Sequence, residues 1–262
     1  MKHIRTLIAK EWAEVFQNRI VVFTVGALPL LLALLPLGIL LTMRGTTLGG
    51  GETSDLPPSM IKACGAIAIG DCFQIFLLNQ FLPLFMMMPL FIPIAIASYS
   101  IVGEKTTRSL EPLLATPITT EELLAGKALA AVIPAVLATW GSFVIFLIGL
   151  PLVGASSPAL LTALSPTWFA ATLLIGPLVS VLAVIFALMV SSRVNDPRVA
   201  EQISGVLIVP VLGLVFGQLA GVLVLNLQLM LTVAAGLAVI DVILVFFGAR
   251  LFQREVILTR WK

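Results

Sequence analysis

Hydrophobic positions along this chain fall into six long runs, and the polar stretches between them hold nearly all of the charge. The first run covers about residues 20–43 and stops at Arg44. The others cover about 73–98, 128–150, 167–190, 203–225 and 229–249. Each is close to the roughly 20 apolar residues needed to cross a bilayer as a helix. The pattern predicts an all-α polytopic membrane protein with six transmembrane helices, a single transmembrane domain over residues 1–262. Pro83, Pro89 and Pro93 interrupt the second run, which predicts a kinked or broken helix. Pro134 falls inside the third. Residues 151–166, rich in Gly, Ser and Pro, read as a loop, with Ser165 and Pro166 as N-cap and first turn of the fourth span. Asp196 and Pro197 repeat that device at the end of a polar loop over 191–202.

Ahead of the first run, residues 1–18 alternate with helical period. Ile4, Leu7, Ile8, Trp12, Val15 and Phe16 share one face; Lys2, Arg5, Lys10, Glu14 and Gln17 take the other. This predicts an amphipathic helix in the membrane interface, the alternative being a helix packed on a soluble partner. The segment is charged and lacks a small-residue cleavage site, unlike a removable signal peptide.

Composition supports the membrane reading. Hydrophobic residues make up 60% of the 262, charged residues 11%, and mean hydropathy is +1.14. A soluble domain carries about 25% charged residues. Charge placement then sets the orientation. With a cytoplasmic N-terminus, all of the 15 lysines and arginines except Arg44 and Lys62 fall on the cytoplasmic side. By the positive-inside rule both termini are cytoplasmic, in a cytoplasmic membrane. Cys64 and Cys72 then lie outside, where a disulfide is permitted; the other reading makes them small apolar fillers.

The segment Gly103 to Pro117 carries the most information. Glu104 and Arg108 are spaced to pair on a helix, Leu110, Leu113 and Leu114 form a short apolar edge, and Pro117 ends it. Thr119 and Glu122 have capping-box spacing at the start of the helix that becomes the third span. The run Gly103-Glu104-Lys105, Leu110-Glu111, Leu113-Leu114, Thr116-Pro117-Ile118 and Gly126-Lys127 resembles the type-2 permeases of ATP-binding-cassette (ABC) exporters. The tail Leu251-Phe252-Gln253-Arg254-Glu255, Ile257-Leu258 and Arg260-Trp261 is similar to that family's ending, so the likeness covers essentially the whole chain.

The resemblance implies that residues 103–118 form a coupling helix docking on a cytoplasmic ATPase subunit, with Glu104, Lys105, Arg108, Leu110, Glu111, Leu113 and Leu114 as contacts. It implies export of a substrate, two ATPase copies, and a second permease subunit, identical or related. ATP and Mg would be bound by the partner, because this chain has no G-x-x-x-x-G-K-[ST]; Lys127 is followed by Ala128. No catalytic residue, cofactor, metal or nucleic-acid partner is expected in this chain itself.

Other residues keep two readings. Asp241 sits near the middle of the sixth run, and faces either a translocation route or subunit interface, or a hydrogen bond from a neighbouring helix. Met86, Met87 and Met88 line an apolar path or fill space. Gln74, Asn79, Gln218, Asn226 and Gln228 form an external gate or satisfy one another. Among rival functions, a zinc protease is excluded by the lone His3, and Glu121-Glu122 lacks the arginine of a glutamate-protease signature. A secondary transporter or channel would need several ionisable groups at the midplane and inverted repeats. An anchoring subunit without transport is the remaining alternative.

Overall fold

The computed structural model describes residues 2–17, 19–43, 68–106 and 119–251. Within these the chain is helical throughout, with no strand among the described residues. In order come α1 (Lys2–Val15), α2 (Arg19–Met43), α3 (Ile69–Phe85), α4 (Met88–Thr106), α5 (Thr120–Leu152), α6 (Ser157–Ala163), α7 (Pro166–Phe169), a π-helical turn (Ala170–Ile175), α8 (Gly176–Arg193), α9 (Pro197–Ser204), a 3-10 turn (Gly205–Leu207), α10 (Ile208–Leu219) and α11 (Leu227–Leu251). Six stretches are long and apolar enough to cross a membrane: Val21–Met43, Ile69–Glu104, Glu121–Leu152, Ser157–Arg193, Pro197–Leu219 and Leu227–Gly248.

The second stretch is in two pieces, as its prolines predict. It breaks at Met86 and Met87, and Pro89 opens the new helix where no intrahelical donor is needed. The third starts on the expected capping box: the Thr119 hydroxyl accepts from Glu122 N at 3.2 Å, and Glu122 Oε2 accepts from Thr119 N at 3.2 Å. Asp196 caps α9 by accepting from Arg198 N at 2.8 Å. Ser165 takes the N-cap position before Pro166 without a side-chain bond.

Several boundaries differ from those read off the sequence. Hydropathy falls at the first polar side chain, but backbone hydrogen bonding does not, so α3 and α4 reach from Ile69 to Thr106 rather than 73 to 98. The loop expected over 151–166 is largely helical. Gly154, at φ 67°, makes the turn, and α6 follows because Ala159 and Ala163 are small enough to be fully buried. The fifth stretch ends at Leu219, before Gly221 at φ 70°, instead of continuing to 225.

The main core gathers Phe85, Phe143, Phe146 and Trp168. Phe143 stacks on Trp168 at 6.1 Å and Phe146 on Trp168 at 5.3 Å, while Phe85 meets Trp168 edge-on at 5.6 Å. Met86, Met87 and Met88 are buried here, which makes them packing residues and not a lining exposed to a path. A second cluster, around Ile92, Ile96, Ala131, Ala135, Val184 and Ala187, joins α4, α5 and α8 with Val15 and Val21 at its edge.

Prolines also explain how the helices are tied together. A proline inside a helix leaves the carbonyl one turn earlier without its N–H partner, and a bilayer offers no water to replace it. At four prolines a side chain from another helix supplies the missing donor. Pro93 frees the Pro89 carbonyl, which accepts from Ser180 Oγ of α8 at 3.1 Å. Pro83 frees the Asn79 carbonyl, which accepts from Gln218 Nε2 of α10 at 3.0 Å. Pro134 frees the Ala130 carbonyl, which accepts from Trp12 Nε1 of α1 at 2.9 Å. In the π turn the Gly176 N–H reaches the Ala171 carbonyl, so the Thr172 carbonyl would fall to residue 177. That residue is Pro177, and Trp140 Nε1 of α5 donates instead, at 3.2 Å.

Candidate functional site

Among the described residues the ion pairs are gathered at one end of the bundle, where α1, the end of α4 and the start of α5 meet. α5 has 33 residues, about 50 Å at 1.5 Å per residue, well beyond the ~30 Å hydrocarbon thickness. Its charged residues, Glu121, Glu122 and Lys127, all lie in the first turns, so that is the end suited to extend past the apolar layer.

Lys127 is buried, its side chain 1% exposed, yet fully surrounded by acceptors. Its Nζ lies 2.7 Å from Glu11 Oε1 of α1 and 3.0 Å from Glu104 Oε2 of α4. It also donates to Ser100 Oγ at 2.9 Å and the Ser100 carbonyl at 3.2 Å. The Ser100 hydroxyl in turn donates to Glu11 Oε2 at 3.1 Å. At the rim, Lys10 Nζ lies 2.9 Å from Glu104 Oε1 and 3.5 Å from Glu14. Burial acts to lower the Lys10 pKa, but the hydrogen bond and field of Glu104, with the fields of Glu14 and Glu11, outweigh it and leave it raised. Two buried carboxylates face one buried ammonium, and half-exposed Lys10 makes the set neutral. Removing Lys127 alone would leave two acids facing each other out of water, a change of the kind that costs about 3–5 kcal/mol.

The α1 helix reaches this position through its apolar face. Leu7 is buried against Gly126, where any Cβ would overlap the Leu7 side chain. Glu11, 3% exposed, belongs to that face and not to the polar one. The amphipathic pattern thus packs largely on α5 of the same chain. A short step away, Ser191 Oγ of α8 donates to the Ser98 carbonyl at 2.8 Å and accepts from Val102 N at 3.2 Å, bringing the α8 end to the same place.

The other residues expected from sequence lie as follows. Glu104 is in the last turn of α4, turned inward and 4% exposed, and Lys105 follows it in the same helix. Arg108, Leu110, Glu111, Leu113 and Leu114 lie outside the described residues, as do Cys64 and the tail beyond Leu251. Cys72 is buried beside Phe73 and Phe76 and is disulfide-bonded. Asp241 is 6% exposed on α11, and neither carboxylate oxygen has a hydrogen-bond partner among the described residues. Gln74 and Asn226 bond backbone and not each other: Gln74 Oε1 accepts from Ser156 N at 2.9 Å, and Asn226 Oδ1 from Leu229 N at 2.8 Å. No group of acidic, His and Cys side chains fit to hold a metal occurs among the described residues.

Glu11 and Trp12 were legible only in part. Position 11 falls four residues after Leu7, inside the apolar stripe, where a charge demands a buried partner. Nothing in the sequence says that the partner is Lys127.

Six long apolar helical stretches and one tightly ordered polar end define a multi-pass membrane protein. The chain belongs to the ABC-2 family of transporters: the family described as ABC-2 family transporter protein matches residues 5–255. No curated protein matches it. The family is one of membrane permeases without catalytic ATPase activity, so this chain is the permease part of an ABC transporter and not its enzyme.

Proposed function

We propose that this chain is the membrane-spanning subunit of an exporter powered by ATP hydrolysis on a separate cytoplasmic subunit, with both of its own termini cytoplasmic. Residues 103–118 are the segment that docks on that subunit. The observation that carries this reading is the gathering of α1, the α4 end, the α5 start and Lys127 at one end of the bundle. A loop joining α4 to α5 has to leave from that end, and the positive-inside count puts the same end in the cytoplasm. ABC-2 permeases in general pair with ATPase subunits. In the proposed assembly two such subunits serve two permease subunits, and Lys105, Arg108, Leu110, Glu111, Leu113 and Leu114 make the contact. Charges for orientation beside a leucine patch for burial suit a docked helix. Glu104 contributes from behind, holding the arm through Lys10 and Lys127.

The test is purification of the tagged chain from its native membrane in mild detergent, with identification of co-purifying proteins. A P-loop ATPase that is lost when Glu111→Arg and Leu114→Arg are combined supports the proposal. A stable assembly recovered repeatedly without any ATPase rejects it, and leaves an anchoring role without transport as the reading.

A further inference from the structure

Resting on that reading, we propose that Lys127 is a positioning residue for energy coupling, and that α1 is the clamp through which it acts. The α1 helix touches both arms of the docking segment. On the α5 side it makes three contacts over two adjacent turns: Leu7 in the notch at Gly126, Glu11 on Lys127, and Trp12 on the Ala130 carbonyl that Pro134 leaves free. On the α4 side Lys10 holds Glu104 at 2.9 Å. Lys127 closes the triangle: it hydrogen-bonds Glu11 and Ser100 and pairs by charge with Glu104 at 3.0 Å.

The chemistry of the joint decides what it can do. Apolar helix faces slide over each other at little cost, because dispersion and burial have no direction. An ammonium held by oxygens from two other helices has one geometry, and losing any member strands a buried charge. A pull on residues 107–118 is therefore delivered to α1, α4 and α5 as one body, not spent in splaying α4 from α5. Gly126 and Lys127, side by side, serve as the receptor for α1: the glycine lets it approach and the lysine fixes its register. Neither is part of a phosphate-binding loop, since the pair sits within α5 and Lys127 is buried under Glu11 and Glu104.

The experiment compares the full chain, purified with its ATPase, as wild type, Lys127→Met and Lys127→Arg. Lys127→Arg keeps a cation between Glu11 and Glu104. Two quantities are read on protein that elutes as a single species: ATPase recovered per permease, and the rate of trypsin cleavage after Arg108 in the permease alone. Lys127→Met is expected to lower recovery and speed cleavage, each by about tenfold, equivalent to one to two kilocalories of lost positioning. Lys127→Arg is expected to keep both within about threefold of wild type, because its guanidinium can donate to both carboxylates. A helix-packing role alone would make the bulkier Lys127→Arg at least as damaging as Lys127→Met. Unchanged recovery and cleavage in Lys127→Met, or Lys127→Arg as damaging as Lys127→Met, overturns the clamp. If wild type itself brings no ATPase, the permease–ATPase reading fails, and the cleavage rates still decide the clamp. Should Lys127→Met not survive extraction, Trp12→Phe replaces it, removing one hydrogen bond and no charge, with faster cleavage again expected.

Discussion

Ser180 and Pro93 allow the proline argument to be tested at a single atom. Pro93 cannot donate to the Pro89 carbonyl, and Ser180 Oγ, fully buried, supplies the bond across the α4–α8 contact at 3.1 Å. Ser180→Ala removes that oxygen and leaves a cavity of about one atom, so the loss is almost purely the orphaned carbonyl. An unsatisfied buried acceptor costs about 1–3 kcal/mol. Interhelical hydrogen bonds in bilayers are measured lower, averaging ~0.6 and reaching ~1.7 kcal/mol, because the unfolded chain also finds partners there. This carbonyl has no intrahelical alternative, so the upper part of that range applies, about 1.5 kcal/mol.

Restoring the backbone donor should abolish the dependence. In Pro93→Ala the residue 93 N–H can bond the Pro89 carbonyl within α4, and Ser180→Ala should then cost less than about 0.5 kcal/mol. The difference, about 1 kcal/mol, is a coupling energy that a double-mutant cycle isolates. Equilibrium unfolding of the four proteins in maltoside micelles titrated with dodecyl sulfate gives it directly. An equal loss from Ser180→Ala in both backgrounds would refute the argument, and with it the account of why Gln218, Trp12 and Trp140 lie where they do.

Asp241→Leu should raise the unfolding free energy by about 1–3 kcal/mol, because it replaces a buried acid lacking a partner among the described residues; a lower value would show that a partner lies elsewhere in the assembly. Transport lost in that stabilised variant would assign Asp241 to the translocation route, and unchanged transport in Asp241→Asn would remove it. Non-reducing peptide mapping should find Cys64 joined to Cys72, and alkylation of either thiol in unreduced protein would contradict this. Lys10, its pKa raised above the ordinary 10.5 by its carboxylate neighbours, stabilises the docked α1 fully below that value and ceases to do so as pH climbs through the raised one. The melting-point difference between wild type and Lys10→Met should therefore stay flat through neutral and mildly alkaline pH and shrink only above 10.5; a shrinkage near neutrality would mean that the pairing does not hold.

The six apolar stretches were readable because a bilayer imposes one rule on every residue inside it, and hydropathy reports that rule directly. The break in the second span and the start of the third were readable for a local reason: Pro89, and Thr119 with Glu122, act on backbone within one turn of themselves. Helix ends were misplaced where polar residues such as Ser98, Ser100 and Glu104 continue a helix that hydropathy had already closed. The α6 helix and the π turn were missed altogether, since each depends on packing between elements that the sequence does not place side by side.

The polar residues show where the limit lies. Gln74, Asn79, Gln218 and Asn226 look alike in sequence, and a gate or a mutual network described them equally well. For three of them the partners are backbone groups: the Gln218 side chain goes to the Asn79 carbonyl that Pro83 has freed, and Gln74 and Asn226 accept from N–H groups at the starts of α6 and α11. A proline at position n announces a stranded carbonyl at n − 4, or n − 5 within a π turn. A buried Ser, Gln or Trp elsewhere announces a donor in search of one. Both halves of each bond can be read from sequence; only the pairing needs the fold. The same holds for Glu11, a charge inside an apolar stripe, and Lys127, a charge entering a membrane helix. Each signals that a partner must exist, and each is costly to bury alone. It is this mutual need that binds α1 to α5 and makes the polar end of the bundle a single body.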